Sequence, residues 1–252
     1  MTYDFTGKVA LVTGGNKGIG KAASLAYART GAKVAVNGTD AASGKATVNE
    51  IRKAGGEAVF IKADVSNAKQ VEAMITETVE TFGRLDFAFN NAGIEGEGPI
   101  THEYPEDVWD RTIDVNLKGT WLCMKYELIQ MLKQGGGVIV NMSSIAGLVG
   151  GASPAYNASK HGIIGLTRSA TQIYADKNIR INAICPAVIR SPMVDRFEQL
   201  DPPLVAEWKT MHALGRFGEP REIADVVLWL CSDRSRFVSG AVIPVDGGWT
   251  VH

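Results

Sequence analysis

The sequence predicts an α/β protein built on a parallel β-sheet with helices on both faces. Short apolar runs rich in β-branched residues alternate along the whole chain with helical segments of about ten residues or more. A glycine-rich turn joins the first run to the first helical segment, and no change of composition marks a linker. Parallel strands need crossover helices, which pack on the two faces of the sheet. The chain is therefore expected to form one doubly wound domain over residues 1–252.

The first half of the chain contains four predicted strands and three predicted helices. The strands are short apolar runs at residues 8–13, 33–37, 58–62 and 86–90. The helices lie at residues 21–30, 41–54 and 67–82. Gly31 and Gly55 follow the first two helices, in the position where helices commonly end.

The second half keeps this alternation. Strands are predicted at residues 137–141, 178–185 and 241–245, and helices at residues 106–133, 154–176 and 221–231. Gly119 favours a division of the first of these helices into two pieces, and Pro186 is expected to end the strand before it. Residues 192–217 are interrupted by prolines but carry several large apolar side chains.

Composition and charge argue against several classes of protein. The 26 basic and 27 acidic residues give a net charge of −1 without a basic block, so neither nucleic acid nor an anionic membrane is expected as a partner. The three cysteines are widely separated, the histidines lack the spacing of metal ligands, and no Gly-x-Ser-x-Gly hydrolase elbow occurs. Without a signal sequence or a long apolar run, the protein is expected in the cytoplasm.

The glycine-rich turn is the first candidate site. Gly14, Gly18 and Gly20 follow the spacing Gly-x-x-x-Gly-x-Gly between a strand and a helix. In this context the backbone can approach a pyrophosphate, and the N-terminus of the helix can bind it. The turn therefore predicts nucleotide binding. The alternative is a tight turn that only packs the helix on the strand.

Polar residues follow several later strands, at the edge where ligands bind in open α/β sheets. Asp64 can accept a hydrogen bond from an adenine amine, and an N-cap of the next helix is the alternative. Residues 90–93, Asn-Asn-Ala-Gly, suit either a turn or a wall of a cofactor site. Ser143 and Ser144 end the fifth strand, where they can serve the same crevice or a helix cap.

Tyr156 and Lys160 lie four residues apart in a predicted helix and therefore share one face of it. A nearby ammonium favours the phenolate. Lys160 is therefore expected to lower the pKa of Tyr156 from about 10 toward the range of a working acid/base catalyst. The alternative for this pair alone is a solvated helix face without a catalytic role.

Together these motifs resemble the short-chain dehydrogenase/reductase family of the single-domain type. The turn at residues 13–20, the segment 90–93, Ser144, the Tyr156-x-x-x-Lys160 motif and the Pro186 segment occur in the family's order. The resemblance covers roughly residues 5–250. It implies a Rossmann-like fold and hydride transfer between a nicotinamide cofactor and a ketone or secondary alcohol, without a metal.

The resemblance also implies four catalytic residues. Tyr156 exchanges a proton with the substrate oxygen, and Lys160 lowers its pKa and holds the nicotinamide ribose. Ser144 hydrogen-bonds the substrate oxygen, and Asn116 supports a water relay to the lysine. Ser144 is followed by the usual Ile-Ala-Gly, which favours it over Ser143 although its spacing to Tyr156 is one residue short of the family's usual spacing.

A set of cofactor-binding residues at the strand ends is implied as well. Its members are Gly14, Asn16, Lys17, Gly18, Ile19, Gly20, Asn37, Gly38, Thr39, Asp64, Val65, Asn91, Ala92, Gly93, Tyr156, Lys160, Ile189 and Ser191. In the segment that precedes Ile189, Ala187 stands where the family more often has glycine.

NADP(H) is the expected cofactor, with NAD(H) as the alternative. NAD-selective relatives usually carry an acid at the end of the second strand, where this chain has Gly38. Lys17 resembles a basic residue of NADP-using relatives and can serve a phosphate as a point charge. Asp40 lies close by and no arginine follows the strand, so the preference is expected to be partial.

A small ketone or secondary alcohol is the expected substrate. Within the family, a 3-oxoacyl thioester and a diol or sugar are the alternatives, and outside the enzymes a nucleotide-binding scaffold or sensor is the alternative. A thioester carrier would favour a basic patch at the site entrance. The arginines that could form one are Arg190, Arg196, Arg216 and Arg221.

Two further expectations concern motion and assembly. Residues 193–214 are predicted to form a mobile lid over an apolar pocket, because prolines alternate there with Phe197, Leu200, Leu204 and Trp208. A helical excursion packed on a neighbour is the alternative. The long helices at residues 106–133 and 154–176 resemble those that pair across a two-fold axis in the family, so a homotetramer is expected.

Overall fold

The computed structural model describes residues 3–96, 98 and 100–251, without the side chains of residues 192, 193, 196 and 197. Its centre is a sheet of seven parallel strands in the order β3-β2-β1-β4-β5-β6-β7. The strands are β1 Val9–Val12, β2 Lys33–Gly38, β3 Ala58–Lys62, β4 Phe87–Asn90, β5 Gly137–Met142, β6 Ile179–Pro186 and β7 Val242–Val245. The strand order reverses between β1 and β4, which places a crevice at their carboxyl ends. The predicted doubly wound parallel sheet is confirmed.

Nine α-helices belong to the described part of the chain. They are α1 Gly18–Arg29, α2 Ala41–Lys53, α3 Ala68–Phe82, α4 Glu106–Ile113, α5 Gly119–Gln134, α6 Pro154–Tyr174, α7 Pro192–Leu200, α8 Pro202–Thr210 and α9 Pro220–Cys231. A π-helical turn, Asp114–Lys118, joins α4 to α5, so the predicted helix at residues 106–133 does consist of two pieces. Across the described residues, no helix has the length and apolar content that a membrane span requires.

Helices cover both faces because successive strand residues are buried on opposite sides of the sheet. In β1, Ala10 and Val12 belong to a core with α1, α2 and α9. Leu11, between them, belongs to a core with α3, α5 and α6. A strand that is buried on both faces reads as a continuous apolar run, which is the pattern that predicted it.

Three details differ from the sequence-based expectation. Helix α1 begins at Gly18 rather than at residue 21, because the end of the glycine-rich turn already forms its first turn. Strand β6 continues through Pro186, which pairs with Val245 in β7. The N-cap of α3 is Asn67, whose side chain accepts from the amide of Gln70, so Asp64 does not cap this helix.

The segment after β6 forms the two helices α7 and α8. Proline stands at the start of each, and Asp201 caps α8 by accepting from the amide of Leu204. Val194, Val205 and Phe217 form a small apolar core of their own beside the main ones. The segment is thus helical. Its motion as a lid stays a prediction, and the side chain of Phe197 lies outside the described residues.

Candidate active site

The carboxyl ends of β1 and β4 are tied together by Thr13 and Asn91. The Thr13 hydroxyl accepts from the amides of Asn91 and Ala92 at 2.9 and 3.1 Å, and the Asn91 side chain donates to the carbonyl of Thr13 at 2.9 Å. These bonds hold segment 90–93 against the glycine-rich turn, as a wall of the crevice. Thr13 begins the predicted motif at residues 13–20 but is missing from the predicted set of cofactor-binding residues, although its place at the end of a strand beside the turn was a signal.

The glycines of the turn have the conformations that close approach to a phosphate requires. Gly14 and Gly18 have positive φ values of 60° and 51°, and a side chain at Gly20 would clash with the carbonyl of Gly14. Gly18 faces open space on the side where a Cβ would stand. No side chain caps the N-terminus of α1, whose first amides, including that of Ile19, are thus available to an anion. The turn therefore fits a dinucleotide pyrophosphate.

At the end of β2 the side chain of Asn16 occupies the space beside Gly38. A Cβ on Gly38 would lie within 2.5 Å of the Asn16 amide oxygen, and the Asn16 amide donates to Ser43 at 2.7 Å. Beyond it, Lys17 Nζ lies 3.0 Å from Asp40 Oδ2, in a largely exposed ion pair. Hydrogen bonds from Ser43 and Lys17 lower the pKa of Asp40 to about 2. Lys17 therefore already has a carboxylate partner.

Two predicted cofactor residues have other structural roles. The Asn37 side chain is buried and donates both of its amide hydrogens to the carbonyls of Ile61 and Ala63, and its contact with a cofactor stays a prediction. Asp64 accepts from the amide and hydroxyl of Ser66 in a local turn. Arg111 approaches its other oxygen at 3.6 Å. Asp64 still lies at the crevice edge. Thr39 is exposed there, and Val65 is buried against Gly119.

Helix α6 carries the tyrosine and the lysine on one face, as predicted. Ser153 caps the helix by accepting from the amide of Tyr156, and Pro154 begins it. Tyr156 is half-buried at the cleft, whereas Lys160 is only 3% exposed. The Lys160 ammonium lies 5.2 Å from the centre of the Tyr156 ring and donates to the carbonyl of Met142 at 3.0 Å.

The pKa of Tyr156 departs from the expectation. Burial, with a smaller contribution from the negative charge of Glu95, raises the pKa of Tyr156 to about 12, although a hydrogen bond from Ser144 opposes the rise. Burial also lowers the pKa of Lys160 to about 8. The expected lowering of the tyrosine pKa by Lys160 is therefore wrong for the free protein, because the loss of water around the phenol outweighs the nearby amine.

The two serines after β5 are distinguished by their surroundings. Ser143 is buried and its hydroxyl donates to the carbonyl of Lys160 at 2.8 Å, so it serves the packing of α6. Ser144 is half-buried, and its hydroxyl caps the short helix Ile145–Gly147 and reaches the phenol of Tyr156. The choice of Ser144 as the residue beside the reacting oxygen thus has structural support.

Asn116 lies in the π-helical turn and braces the segment that follows the cofactor wall. Its side chain donates to the carbonyl of Ile94 and accepts from the amide of Ile94, both at 2.8 Å. It also donates to Ser159 at 3.2 Å. A Cβ at Gly93 would lie 3.2 Å from Asn116 and 3.6 Å from Lys160 Nζ, so these groups meet at one place. The relay role of Asn116 stays a prediction.

The segment after β6 closes the other side of the crevice. Ile189 pairs with Gly218, which fixes the backbone at this point. Within the described residues Asn178 is the sole non-glycine residue with positive φ, so Ala187 adopts an ordinary conformation and replaces glycine without strain. The Ser191 hydroxyl accepts from the amide of Val194 and thereby caps α7, which ties this segment to the helices above it.

Glu95 is a second residue that sequence reasoning missed. It follows the segment braced by Asn116, and its carbonyl accepts from the Ser153 hydroxyl at 3.1 Å. The contact links the loop to the start of the catalytic helix and brings a carboxylate within electrostatic range of Tyr156. No short motif carried this signal, because the contact joins residues 58 positions apart.

Comparison with known proteins agrees with this site. Residues 14–250 match the family model described as enoyl-(acyl carrier protein) reductase. Cyclohexanol dehydrogenase of Acinetobacter sp. is 43% identical, over 99% of this chain and 98% of that protein. A 3-oxoacyl-[acyl-carrier-protein] reductase of Staphylococcus aureus is 41% identical, over 96% of this chain and 97% of that protein.

A solved structure gives the same result for the fold. The crystal structure of levodione reductase superposes with a TM-score of 0.94 at 38% identity, covering 98% of this chain and 99% of that chain. The chain therefore belongs to the short-chain dehydrogenase/reductase family, and it is an NAD(P)(H)-dependent oxidoreductase that acts on CH–OH and C=O groups.

Proposed function

We propose that the protein interconverts a small ketone and a secondary alcohol, with NADP(H) preferred and Tyr156 as the general acid/base. The observation that carries this proposal is the convergence of Tyr156, Ser144 and Lys160 at the carboxyl edge of the sheet, beside the glycine-rich turn. The bound nicotinamide supplies the hydride in reduction and accepts it in oxidation.

Each residue has a role that its surroundings support. The Tyr156 phenol, whose pKa of about 12 keeps it protonated, donates its proton to a carbonyl oxygen. Ser144 holds the same oxygen, because its hydroxyl already lies beside the phenol. Lys160 is a buried amine without a carboxylate partner among the described residues, so it is suited to hydroxyl groups of a bound ribose.

The charge around the site entrance favours a free small molecule over a carrier-bound thioester. Arg190 bonds Asp195 and Glu198 at 2.8 and 3.1 Å, and Arg216 forms a two-bond pair with Glu222. Arg221 lies 3.8 Å from Asp225, and the side chain of Arg196 lies outside the described residues. The described arginines of the predicted patch are thus neutralised, which weakens attraction for an acidic carrier. An alicyclic ketone suits the site better, by analogy with the cyclohexanol relative.

NADP(H) preference rests on the end of β2. No carboxylate stands at Gly38 to repel a phosphate, and Lys17 is positioned within the turn. The Asp40 partner of Lys17 limits the gain, because a phosphate must compete with it for the ammonium. One charged hydrogen bond contributes about 1.5–3 kcal/mol, so we expect a preference of about 10- to 100-fold.

The homotetramer is proposed from the exposed outer surface of α5 and α6. Trp121, Ile129 and Leu132 on α5 and Ile173 on α6 are each more than 40% exposed, an apolar surface that a second copy would cover. Light scattering should give about four times the 27.0 kDa of one chain. A mass near that of one chain would contradict the assembly.

A cytoplasmic location is proposed from the cysteines. Cys123, Cys185 and Cys231 are buried and free, which fits a reducing compartment. Recovery of the native protein in a cytoplasmic cell fraction would support this location, and recovery in a secreted or membrane fraction would contradict it.

The decisive experiment measures kcat/KM with NADPH and NADH on cyclohexanone, an acetoacetyl thioester and an aldose. We expect cyclohexanone to be the best of the three and NADPH to be favoured. Lys17→Ala should reduce the cofactor ratio, whereas Lys21→Ala, which removes an ion-paired lysine one turn further along α1, should leave it unchanged. Preference for NADH, or for the thioester, would contradict the respective part of the proposal.

A further inference from the structure

Glu127 of α5 is completely buried beneath the cofactor wall. Its Oε2 accepts from the Asn90 side chain at 3.0 Å. Burial raises the pKa of Glu127 to about 8, and no cation among the described residues offsets that effect. A buried carboxylate with a single hydrogen bond carries a large desolvation cost, whereas a neutral acid does not.

Two atoms of the pair formed by Asn90 and Glu127 have no hydrogen-bond partner in the structure. Glu127 Oε1 and Asn90 Oδ1 are both buried and both lack a hydrogen bond. Both are acceptors if Glu127 is ionised, so neither can satisfy the other. A proton on Oε1 converts it to a donor, and a carboxylic acid then matches a primary amide through one N–H···O bond and one O–H···O bond. The N–H···O bond of that pair is the one observed at 3.0 Å.

The surrounding network fixes the direction of these bonds. The second Asn90 amide proton goes to Asn141 Oδ1 at 3.0 Å, and Asn141 donates in turn to Thr167 at 2.9 Å, which donates to a carbonyl of α6. Asn90 and Asn141 are direct neighbours on β4 and β5. The Asn90 amide therefore has no donor left for Glu127 Oε1. The groups that face this network from α5, β4, β5 and α6 are uncharged: Cys123, Met124, Asn90, Asn141 and Thr167.

We propose that Glu127 carries a proton on Oε1 and donates a hydrogen bond through it to Asn90 Oδ1. This acid–amide pair with two hydrogen bonds then positions the end of β4 for cofactor binding. Asn90 is the last residue of β4, and the next residue, Asn91, bonds Thr13 and the glycine-rich turn. Glu127 is thus a positioning residue that acts through Asn90. The claim that Glu127 supports cofactor binding rests on the proposed function. The claim that Glu127 is protonated does not.

Glu127→Gln tests the proton, because a glutamine can form the same two bonds and cannot ionise. Infrared difference spectra of wild type against this variant should show the carbonyl stretch of a protonated carboxylic acid in wild type alone. The wild-type Tm should fall more steeply than that of the variant between about pH 5 and about pH 8, because in this range the folded state keeps a proton that the unfolded state has already released. Glu72→Gln, at an exposed glutamate of α3, should leave both readouts as in wild type.

Glu127→Met tests the positioning role, because it keeps an unbranched chain and removes both hydrogen bonds. We expect its Kd for NADPH, measured by fluorescence without substrate, to rise about tenfold or more, with Glu127→Gln staying close to wild type. Hydrogen exchange of the Asn91 and Ala92 amides should be faster in Glu127→Met than in Glu127→Gln.

The outcomes separate the two parts. Absence of the carboxylic acid band in wild type, or equal slopes of Tm against pH in wild type and Glu127→Gln, would overturn the claim that Glu127 is protonated. Equal Kd and equal exchange in Glu127→Met and Glu127→Gln would overturn the positioning role. Failure of wild type to bind either nicotinamide cofactor would count against the proposed function, and the infrared and Tm readouts would still decide the proton.

Discussion

Lys160 and Glu127 are buried ionisable groups of the layer between the sheet and helices α5 and α6, and they lie in very different places. Lys160 lies at the edge of the layer, beside the half-buried Tyr156 and the open crevice. Glu127 lies in its interior, below the cofactor wall. Burial brings the pKa of both groups to about 8, downward for the amine and upward for the acid.

The difference shows that the same desolvation of a charged group can serve a ligand site at the edge of the layer and the stability of the fold in its interior. Each group is driven toward its neutral form because water is absent. At the edge, Lys160 meets the carbonyl of Met142 and leaves donors directed to the region of Gly93, where a ligand can reach them. In the interior, Glu127 accepts from the Asn90 amide, lies near the Cys123 thiol and is fully buried, so it can stabilise the fold but cannot contact a substrate. Substitutions at the edge should therefore affect turnover directly. Substitutions in the interior should affect the stability of the fold and, through Asn90, the cofactor wall.

The largest expected effect is that of Tyr156→Phe. The ring remains and the phenolic proton is lost, so turnover should fall by about 10²–10⁴ while Tm and NADPH affinity stay near wild type. Tyr174→Phe, at the other end of the same helix, serves as the matched control. Steady-state rates and Tm of both variants decide the matter. More than a tenth of wild-type turnover in Tyr156→Phe would remove this residue from its role.

Lys160→Met should give the next largest effect on turnover. Its effects on turnover and Tm should contrast with those of Glu127→Met. Turnover should fall by roughly 10² or more, because the ammonium beside Tyr156 is lost. Tm at neutral pH should not fall, since an unpaired buried charge is replaced by an apolar chain of similar length. Glu127→Met, which removes one buried hydrogen-bond partner of Asn90, should lower Tm instead. A lower Tm in both variants would contradict the proposed difference between the edge and the interior of the layer.

Much of the edge could be predicted from the sequence, because its signals are local. Four-residue spacing places Tyr156 and Lys160 on one helix face, and Ser144 follows a strand that any parallel sheet directs to the same crevice. The strands were predictable for a similar reason, since burial on both faces leaves a continuous apolar run.

The interior could not be predicted in this way. The contact between Asn90 and Glu127 joins residues 37 positions apart, and no motif marks it. The side chain of Asn37 turns inward to carbonyls of the neighbouring strand end, which only the packed sheet reveals. The pKa of Tyr156 was predicted in the wrong direction because depth of burial is a property of tertiary packing, whereas spacing along a helix is not.

A third prediction compares how stability depends on pH. Glu127 has a raised pKa when folded, so its contribution is largest below about pH 4.5 and is lost as pH rises to about 8. Lys160 has a lowered pKa when folded, so its contribution is present above about pH 10.5 and is lost as pH falls to about 8. Each slope approaches about 1.4 kcal/mol per pH unit.

Urea unfolding across this pH range measures both slopes. The difference between wild type and Glu127→Gln should fall with rising pH below about 8, and the difference between wild type and Lys160→Met should rise with pH above about 8. Slopes of the same sign for the two differences would show that burial does not control the two groups as described.

The smallest expected effect concerns Glu95 at the open end of the edge region. Its negative charge disfavours the phenolate of Tyr156 and so raises the pKa of that group. Glu95→Gln should therefore shift the ascending limb of the pH profile of alcohol oxidation to lower pH, because the phenol that serves as the base ionises more easily. The shift should stay below about one pH unit and shrink at high salt, since Glu95 is exposed and screened by solvent. Profiles of kcat/KM against pH measure it, with Glu103→Gln as the exposed control. A shift to higher pH, or an equal shift in the control, would contradict the coupling and leave burial as the sole cause of the raised pKa.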